Sequence, residues 1–123
     1  MTGWWGVVLE TPDPDGLAHF YADLLGWRVT GSKPNWATIN PPDEDSTAYM
    51  GFQRSPEYVP PVWPPADGKQ QMMMHVDIGV TNLDTSVARA TALGATLAGY
   101  QPQDEVRVML DPHGHPFCLY LDL

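Results

Sequence analysis

The sequence predicts an α+β fold made of two βαβββ modules in one chain. Three observations lead there. The stretch from His75 to Gly94 reads as a strand, a capped helix and a glycine stop. An earlier stretch, Gly6 to Gly26, reads as a weaker copy of it, and strand signals follow each helix in the same order. The copies are offset by 69 residues along the strands and by 68 at the Leu-Gly pair that ends each helix.

In the first copy Val7 and Leu9 alternate with Gly6, Val8 and Glu10, the period of two of a half-buried strand running from about Trp4 to Glu10. Asp13 is the N-cap of the helix that follows and Pro14 takes its first position. Leu17, Phe20, Tyr21 and Leu24 form the apolar stripe, and Leu25-Gly26 closes the helix. Strands are expected at Trp27 to Thr30, Trp36 to Ile39 and Tyr49 to Gln53, with a turn at Gly31 to Pro34. Pro41-Pro42-Asp43-Glu44-Asp45 is an exposed acidic loop.

Between Arg54 and Gln71 the prolines at 56, 60, 61, 64 and 65 favour extended geometry, so this segment connects the halves. Tyr58, Val59, Val62 and Trp63 are too apolar for a free linker and are expected to bury against the surface. The second copy has a strand at Met72 to Val80, with Val76, Ile78 and Val80 on one face and His75, Asp77 and Gly79 on the other. Asn82 caps its helix, Asp84 sits in the first turn, and Leu83, Val87, Ala90 and Leu93 make the stripe. Strands at Thr96 to Tyr100, Val106 to Leu110 and Phe117 to Asp122 complete it, with Asp111-Pro112-His113-Gly114 as a turn before the last. The expected organisation is one domain over 1–123, with module 1 at about 3–54, a connector at 55–71 and module 2 at about 72–123.

Fifteen acidic against six basic residues give a formal charge of −9, which argues against a nucleic-acid partner and leaves cationic or neutral ligands open. The single cysteine, Cys118, has no intramolecular disulfide partner. No apolar run approaches the roughly 20 residues of a membrane helix, and no charged and apolar leader precedes the first strand. A cytoplasmic protein with no membrane partner is expected.

Four segments carry a family resemblance: Asp13 to Trp27 with Phe20-Tyr21 and Leu25-Gly26, Gly51-Phe52-Gln53-Arg54 with the Pro-rich stretch after it, His75 to Gly94, and Asp111 to Leu119 with its Asp-Pro-x-Gly-x-Pro-Phe turn. Together they resemble the glyoxalase, bleomycin-resistance and extradiol dioxygenase superfamily, known as vicinal oxygen chelate, over essentially the whole chain. The resemblance implies that each module curls its strands into half of a cup, that paired modules enclose a site, and that the protein is a homodimer.

Metal-dependent members of that family place a His or carboxylate in the first strand and near the last strand of each module. Residue by residue, His75 matches; its counterpart Gly6 has no side chain; the Glu expected after the Asp-Pro turn falls on Cys118; and the fourth strand offers Gly51, Phe52 and Gln53. Catalytic metal sites generally keep about three protein ligands, so the expected cofactor is none, with a divalent metal as the alternative. His113 and His115 read as solvated turn residues, His19 as a surface residue, and Cys118 as a space-filling side chain rather than a nucleophile paired with His75.

If Val7, Leu9, Val76, Ile78, Val80, Phe117, Leu119 and Leu121 pack under the helices, the cup is lined by Trp4, Gly6, Val8, Glu10, His75, Asp77, Cys118 and Tyr120, with Asp122 following. The candidate ligand-binding residues are therefore Trp4, Glu10, His75, Asp77, Cys118 and Tyr120, a mixture of aromatic faces and carboxylates that suits a flat or cationic organic molecule. The expected function is small-molecule binding without the family's metal centre, of the sequestering, resistance type. Two alternatives stand beside it: a metal-dependent lyase, isomerase or dioxygenase using His75, and a structural or regulatory dimer whose cup is filled by its own side chains.

Overall fold

A computed structural model describes residues 1–123. The element order is β1 (Trp5–Thr11), α1 (Pro14–Leu25), β2 (Arg28–Lys33), β3 (Trp36–Asn40), β4 (Ala48–Arg54), β5 (Val76–Val80), α2 (Leu83–Ala92), β6 (Thr96–Leu97), β7 (Val106–Leu110) and β8 (Pro116–Leu121). They form two four-stranded sheets, ordered β1-β4-β3-β2 and β5-β8-β7-β6. In each, the first strand of the module pairs in parallel with the last, and the other pairs are antiparallel. The chain divides into two compact units, Met1–Tyr58 and Val59–Leu123.

Local chemistry sets the helix ends. The Asp13 carboxylate accepts from the Gly16 amide at 3.1 Å, Pro14 occupies the first turn, and Gly26 closes α1 in the left-handed conformation at φ 72°. Asn82 caps α2 by accepting from the Thr85 amide at 2.9 Å. In the first unit Leu17, Ala18, Phe20 and Tyr21 of α1 pack on Ala37, Ile39, Met50 and Phe52, all buried, with Tyr21 stacked on Phe52 at 5.9 Å. In the second, Ala90 of α2, Val108, Met109, Phe117 and Leu119 are buried. Val7, Leu9, Val76, Ile78, Val80 and Leu121 are half-buried, while Gly6, Val8, Glu10, Asp77 and Gly79 are exposed.

Four sequence-based expectations are corrected. The strand expected from Met72 begins at Val76. One step before the Val76–Phe117 pair, His75 would face Pro116, which has no N–H for the ladder. The strand expected to Tyr100 stops at Leu97. There the Ala98 amide makes a last backbone bond to the Val108 carbonyl at 3.0 Å, and the side-chain amide of Gln101 takes over beyond it, donating to the carbonyls of Ala98 at 2.9 Å and Val108 at 2.8 Å and accepting from the Val108 amide at 2.8 Å. Gly31 is not a turn residue: β2 continues through it to Lys33, and it lies beside a shift in register between Val29 and Gly31. His115 is not solvated, because its ring bonds the buried Asp111 carboxylate at 2.7 Å while the other carboxylate oxygen takes the amides of His113 and His115.

The connector is anchored within the second unit. Trp63 Nε1 donates to the Tyr100 carbonyl at 3.0 Å, and the Val62 amide donates to the Gln70 carbonyl at 2.9 Å. Tyr58, Val62 and Trp63 are half-buried as expected, but Val59 is 59% exposed and buries little.

Candidate ligand-binding faces

In the second unit the site residues are placed by the register of β5 on β8. Asp77 sits opposite Cys118 and Gly79 opposite Tyr120, while Ile78 and Leu119 take the alternate face. His75, just before the strand, brings its Nε2 to 3.0 Å from the Asp77 carboxylate. One ligating atom from each of His75, Asp77 and Cys118 lies within 4.8 Å of the other two. On the next rung Gly79 leaves room for its neighbours: a Cβ there would lie 3.0 Å from both the Tyr120 hydroxyl and an Asp122 carboxylate oxygen. The face therefore presents an imidazole, a carboxylate and a thiol, followed by a phenol and a second carboxylate.

Burial pushes the Cys118 thiol above the ordinary thiol range; the Asp77 charge adds to this, as does a hydrogen bond from the thiol to that carboxylate. A thiol kept protonated by burial and by a neighbouring carboxylate lacks the lowered pKa that a nucleophilic cysteine needs. The carboxylate is mostly open to solvent, with 58% of the Asp77 side chain exposed.

The first unit presents a different face. Gly6 pairs with Tyr49 and Val8 with Gly51 across β1 and β4. A Cβ on Gly6 would lie 2.5 Å from the Tyr49 ring, and one on Gly51 would lie 2.5 Å from the Trp36 ring. Both glycines thus allow an aromatic ring to lie directly on the strand. Trp4 lines a surface cleft of about 280 Å³ together with Arg28, Thr30, Asn40, Asp43 and Glu44. Within it the Thr30 hydroxyl donates to the Asn40 side-chain carbonyl at 2.5 Å. Glu10 lies near the far end of β1 and Trp4 just precedes that strand, so they are six residue steps apart, roughly 20 Å of extended chain.

Of the six predicted residues, His75, Asp77 and Cys118 are brought into one cluster, with Tyr120 one rung away. Glu10 lies in β1 and Trp4 just before it, in the cleft, so the two are not brought together. Sequence reasoning missed Arg28, Thr30 and Asn40, which ordinary strand positions do not mark out, and it left the facing of Trp36 open. The glycine inside β4 was the available signal for Trp36, since a strand glycine often marks the close approach of another group.

The divalent metal implied by the family resemblance does not fit the first-module positions. Gly6 and Gly51 offer no donor atom, and the rings of Tyr49 and Trp36 fill the space where a side chain would begin.

A family model described as a glyoxalase-like domain matches residues 6–120. No curated protein matches the chain significantly. Among solved structures, a glyoxalase/bleomycin resistance protein/dioxygenase family enzyme from Burkholderia phytofirmans is 18% identical, with 96% of this chain and 97% of that one covered at a TM-score of 0.69. A protein from Agrobacterium tumefaciens solved by NMR is 20% identical, with 100% and 99% covered at a TM-score of 0.69. A possible glyoxalase from Bacillus cereus is 14% identical, with 98% and 99% covered at a TM-score of 0.67. At these identities the likeness establishes the two-module α+β fold.

Proposed function

Since the chain belongs to the glyoxalase-like domain family, we propose that it is a small-molecule-binding member that works without the family's metal centre and sequesters a flat, cationic organic ligand. The observation that carries this is the pairing, on one face of β5 and β8, of the Asp77 carboxylate with the Tyr120 ring one rung away. Asp77 attracts the cationic group, Tyr120 stacks or makes a cation–π contact, and His75 and Cys118 bound the site beside Asp77. On the first unit Trp4 and Glu10 are further aromatic and acidic groups, at separate places rather than paired. The metal-dependent lyase, isomerase or dioxygenase alternative draws no support from Gly6 or Gly51.

A cation–π contact at an exposed site contributes about 0.5–1 kcal/mol and an exposed charge pair about 0–1 kcal/mol. Neither alone gives useful affinity, so a flat ligand must gain the rest from apolar contact. We also infer a homodimer, because β1 and β5 are edge strands and unpaired edges invite a partner. We assign the protein to the cytoplasm, as the unpaired Cys118 suits a reducing compartment; no helix is long and apolar enough to cross a membrane.

Thermal-shift screening with quaternary ammonium and aromatic compounds, benzyltrimethylammonium among them, tests the proposal. A saturable rise in Tm is expected, and Asp77→Asn weakens binding by up to about fivefold, the equivalent of at most about 1 kcal/mol, while leaving the unliganded melt in place. Affinity unchanged in that variant contradicts the acidic-wall reading.

A further inference from the structure

The chain holds two Asp-Gly pairs, Asp15-Gly16 and Asp67-Gly68, and the fold treats them differently. We infer that Asp67 is a site of spontaneous covalent modification, where the backbone converts to isoaspartate through a cyclic imide, and that Asp15 is protected from the same reaction. The conversion loosens the clasp that holds the Pro-rich connector. The site lies on that connector and shares no residue with the proposed ligand-binding face.

The reaction needs a backbone amide nitrogen that can reach the preceding side-chain carboxyl. The Gly68 nitrogen attacks Cγ of the Asp67 carboxyl group: a C–N bond forms, the C–O bond to the carboxyl hydroxyl breaks, and the hydroxyl leaves as water with the amide proton. Water then opens the imide at either carbonyl. Addition at Cγ restores aspartate, whereas addition at the main-chain carbonyl breaks the original peptide bond and leaves the chain running through Cγ. One water is lost and one regained, with no change in oxidation state. Glycine is the most permissive successor, because it has no Cβ to shield its nitrogen.

Asp67 meets these conditions. The Lys69 amide donates to the Ala66 carbonyl at 3.2 Å, closing a turn with Asp67 and Gly68 at its centre. Both central residues are exposed, and neither the Asp67 carboxylate nor the Gly68 amide makes a hydrogen bond or an ion pair. Gly68 has φ 73°, and nothing lies within 4 Å of the place a Cβ would take, so no neighbour resists the closing ring. Exposed turn tips of small and polar residues are also where a chain most readily departs from one conformation.

Asp15 meets neither. It sits in the first turn of α1, where the Gly16 amide donates to the Asp13 carboxylate at 3.1 Å. Its own carboxylate accepts from the Ser32 hydroxyl at 2.6 Å and lies 3.5 Å from the His19 ring nitrogen. Nitrogen and carboxyl are thus held by separate partners on backbone that the helix fixes. The consequence at Asp67 is structural. Its turn brings Val62 and Gln70 together, with the Val62 amide donating to the Gln70 carbonyl at 2.9 Å beside the anchored Trp63. Isoaspartate puts one more methylene into the backbone between them, about 1.5 Å of chain, against a hydrogen-bond distance range only about 0.5 Å wide.

Incubation of the full-length protein in mildly acidic heavy-oxygen water tests this, because each opening of the imide leaves one solvent oxygen in the product. After digestion in ordinary water, the peptide with Asp67 is expected to carry the label and to separate into aspartyl and isoaspartyl forms. The isoaspartyl form accepts a methyl group from S-adenosylmethionine when a protein-isoaspartate methyltransferase is added. The peptide with Asp15 stays unlabelled in folded protein and takes up label in urea, because the fold and not the dipeptide protects it. Asp67→Glu, whose imide ring would be larger and slower to close, removes the labelling at that position. In the isoaspartyl protein the Val62 amide exchanges with deuterium faster by about tenfold or more. Absence of label at Asp67 in folded protein overturns the inference, and so does equal labelling of Asp15 and Asp67 there. Unchanged exchange at Val62 overturns the loosened clasp.

Discussion

In the first module α1 buries Leu17, Ala18, Phe20, Tyr21 and Ala22, and the rings of Tyr49 and Trp36 lie on Gly6 and Gly51 of the opposite face. In the second, only Ala90 of α2 is buried, and the corresponding face holds His75, Asp77, Cys118 and Tyr120. The topology is the same, but the aromatic mass and the polar chemistry are divided between the copies. Where rings lie flat on a strand, the strand needs glycine and gives up its place for a ligating side chain. The copy without rings there keeps its donor atoms. Duplicated modules in this chain are therefore not interchangeable halves: the first supplies the larger packed core, the second the reactive groups.

Substitutions in matched places test that division. The largest effect is expected for Phe52→Ala, where a fully buried ring stacked on Tyr21 is lost; urea denaturation should show a destabilisation of about 3–5 kcal/mol. Val87→Ala on the half-buried stripe of α2 should cost no more than about 1 kcal/mol, and equal losses would erase the contrast in packing. Next, Gly51→Ala should cost about 1–3 kcal/mol, because the new methyl group meets the Trp36 ring at 2.5 Å. Gly79→Ala should cost less, since the atoms it meets at 3.0 Å belong to the ends of the exposed Tyr120 and Asp122 side chains. The two helix caps provide a control: Asp13→Ala and Asn82→Ala should each cost about 1 kcal/mol, as both bond the amide three residues on.

The smallest and most local test concerns Cys118. In metal-free protein its alkylation by iodoacetamide at about pH 8 should be slower than that of a free thiol, as burial and then Asp77 hold the proton on sulfur. Asp77→Asn should speed the reaction without reaching the free-thiol rate, because burial, the larger cause, remains. The sign for stability follows. With the folded-state pKa raised, the contribution is fully present below the ordinary thiol pKa and is lost as pH rises through the raised value.

Features set by neighbouring residues were legible in the sequence. Asp13, Pro14 and Asn82 mark the helix starts by chemistry that acts over three residues, and both appear where expected. The alternation of Val76, Asp77 and Ile78 separated the two faces of β5 in the same way. Features set by distant partners were not. β5 begins late because its neighbour is Pro116, about 40 residues on. Alternation placed Asp77 and Cys118 on matching faces, but their apposition depends on the register between strands about 40 residues apart, which no local pattern specifies. The same holds for Trp36, whose ring covers Gly51 from another strand.

The most direct test of ligand binding on the second module is an NMR titration with benzyltrimethylammonium, following the imidazole signals of the chain's four histidines. The His75 signal should move saturably, with those of His19, His113 and His115 unmoved, and Asp77→Asn should suppress the shift. A titration in which His75 stays fixed, or shifts equally in the Asp77→Asn protein, would contradict the assignment of this face as the ligand site.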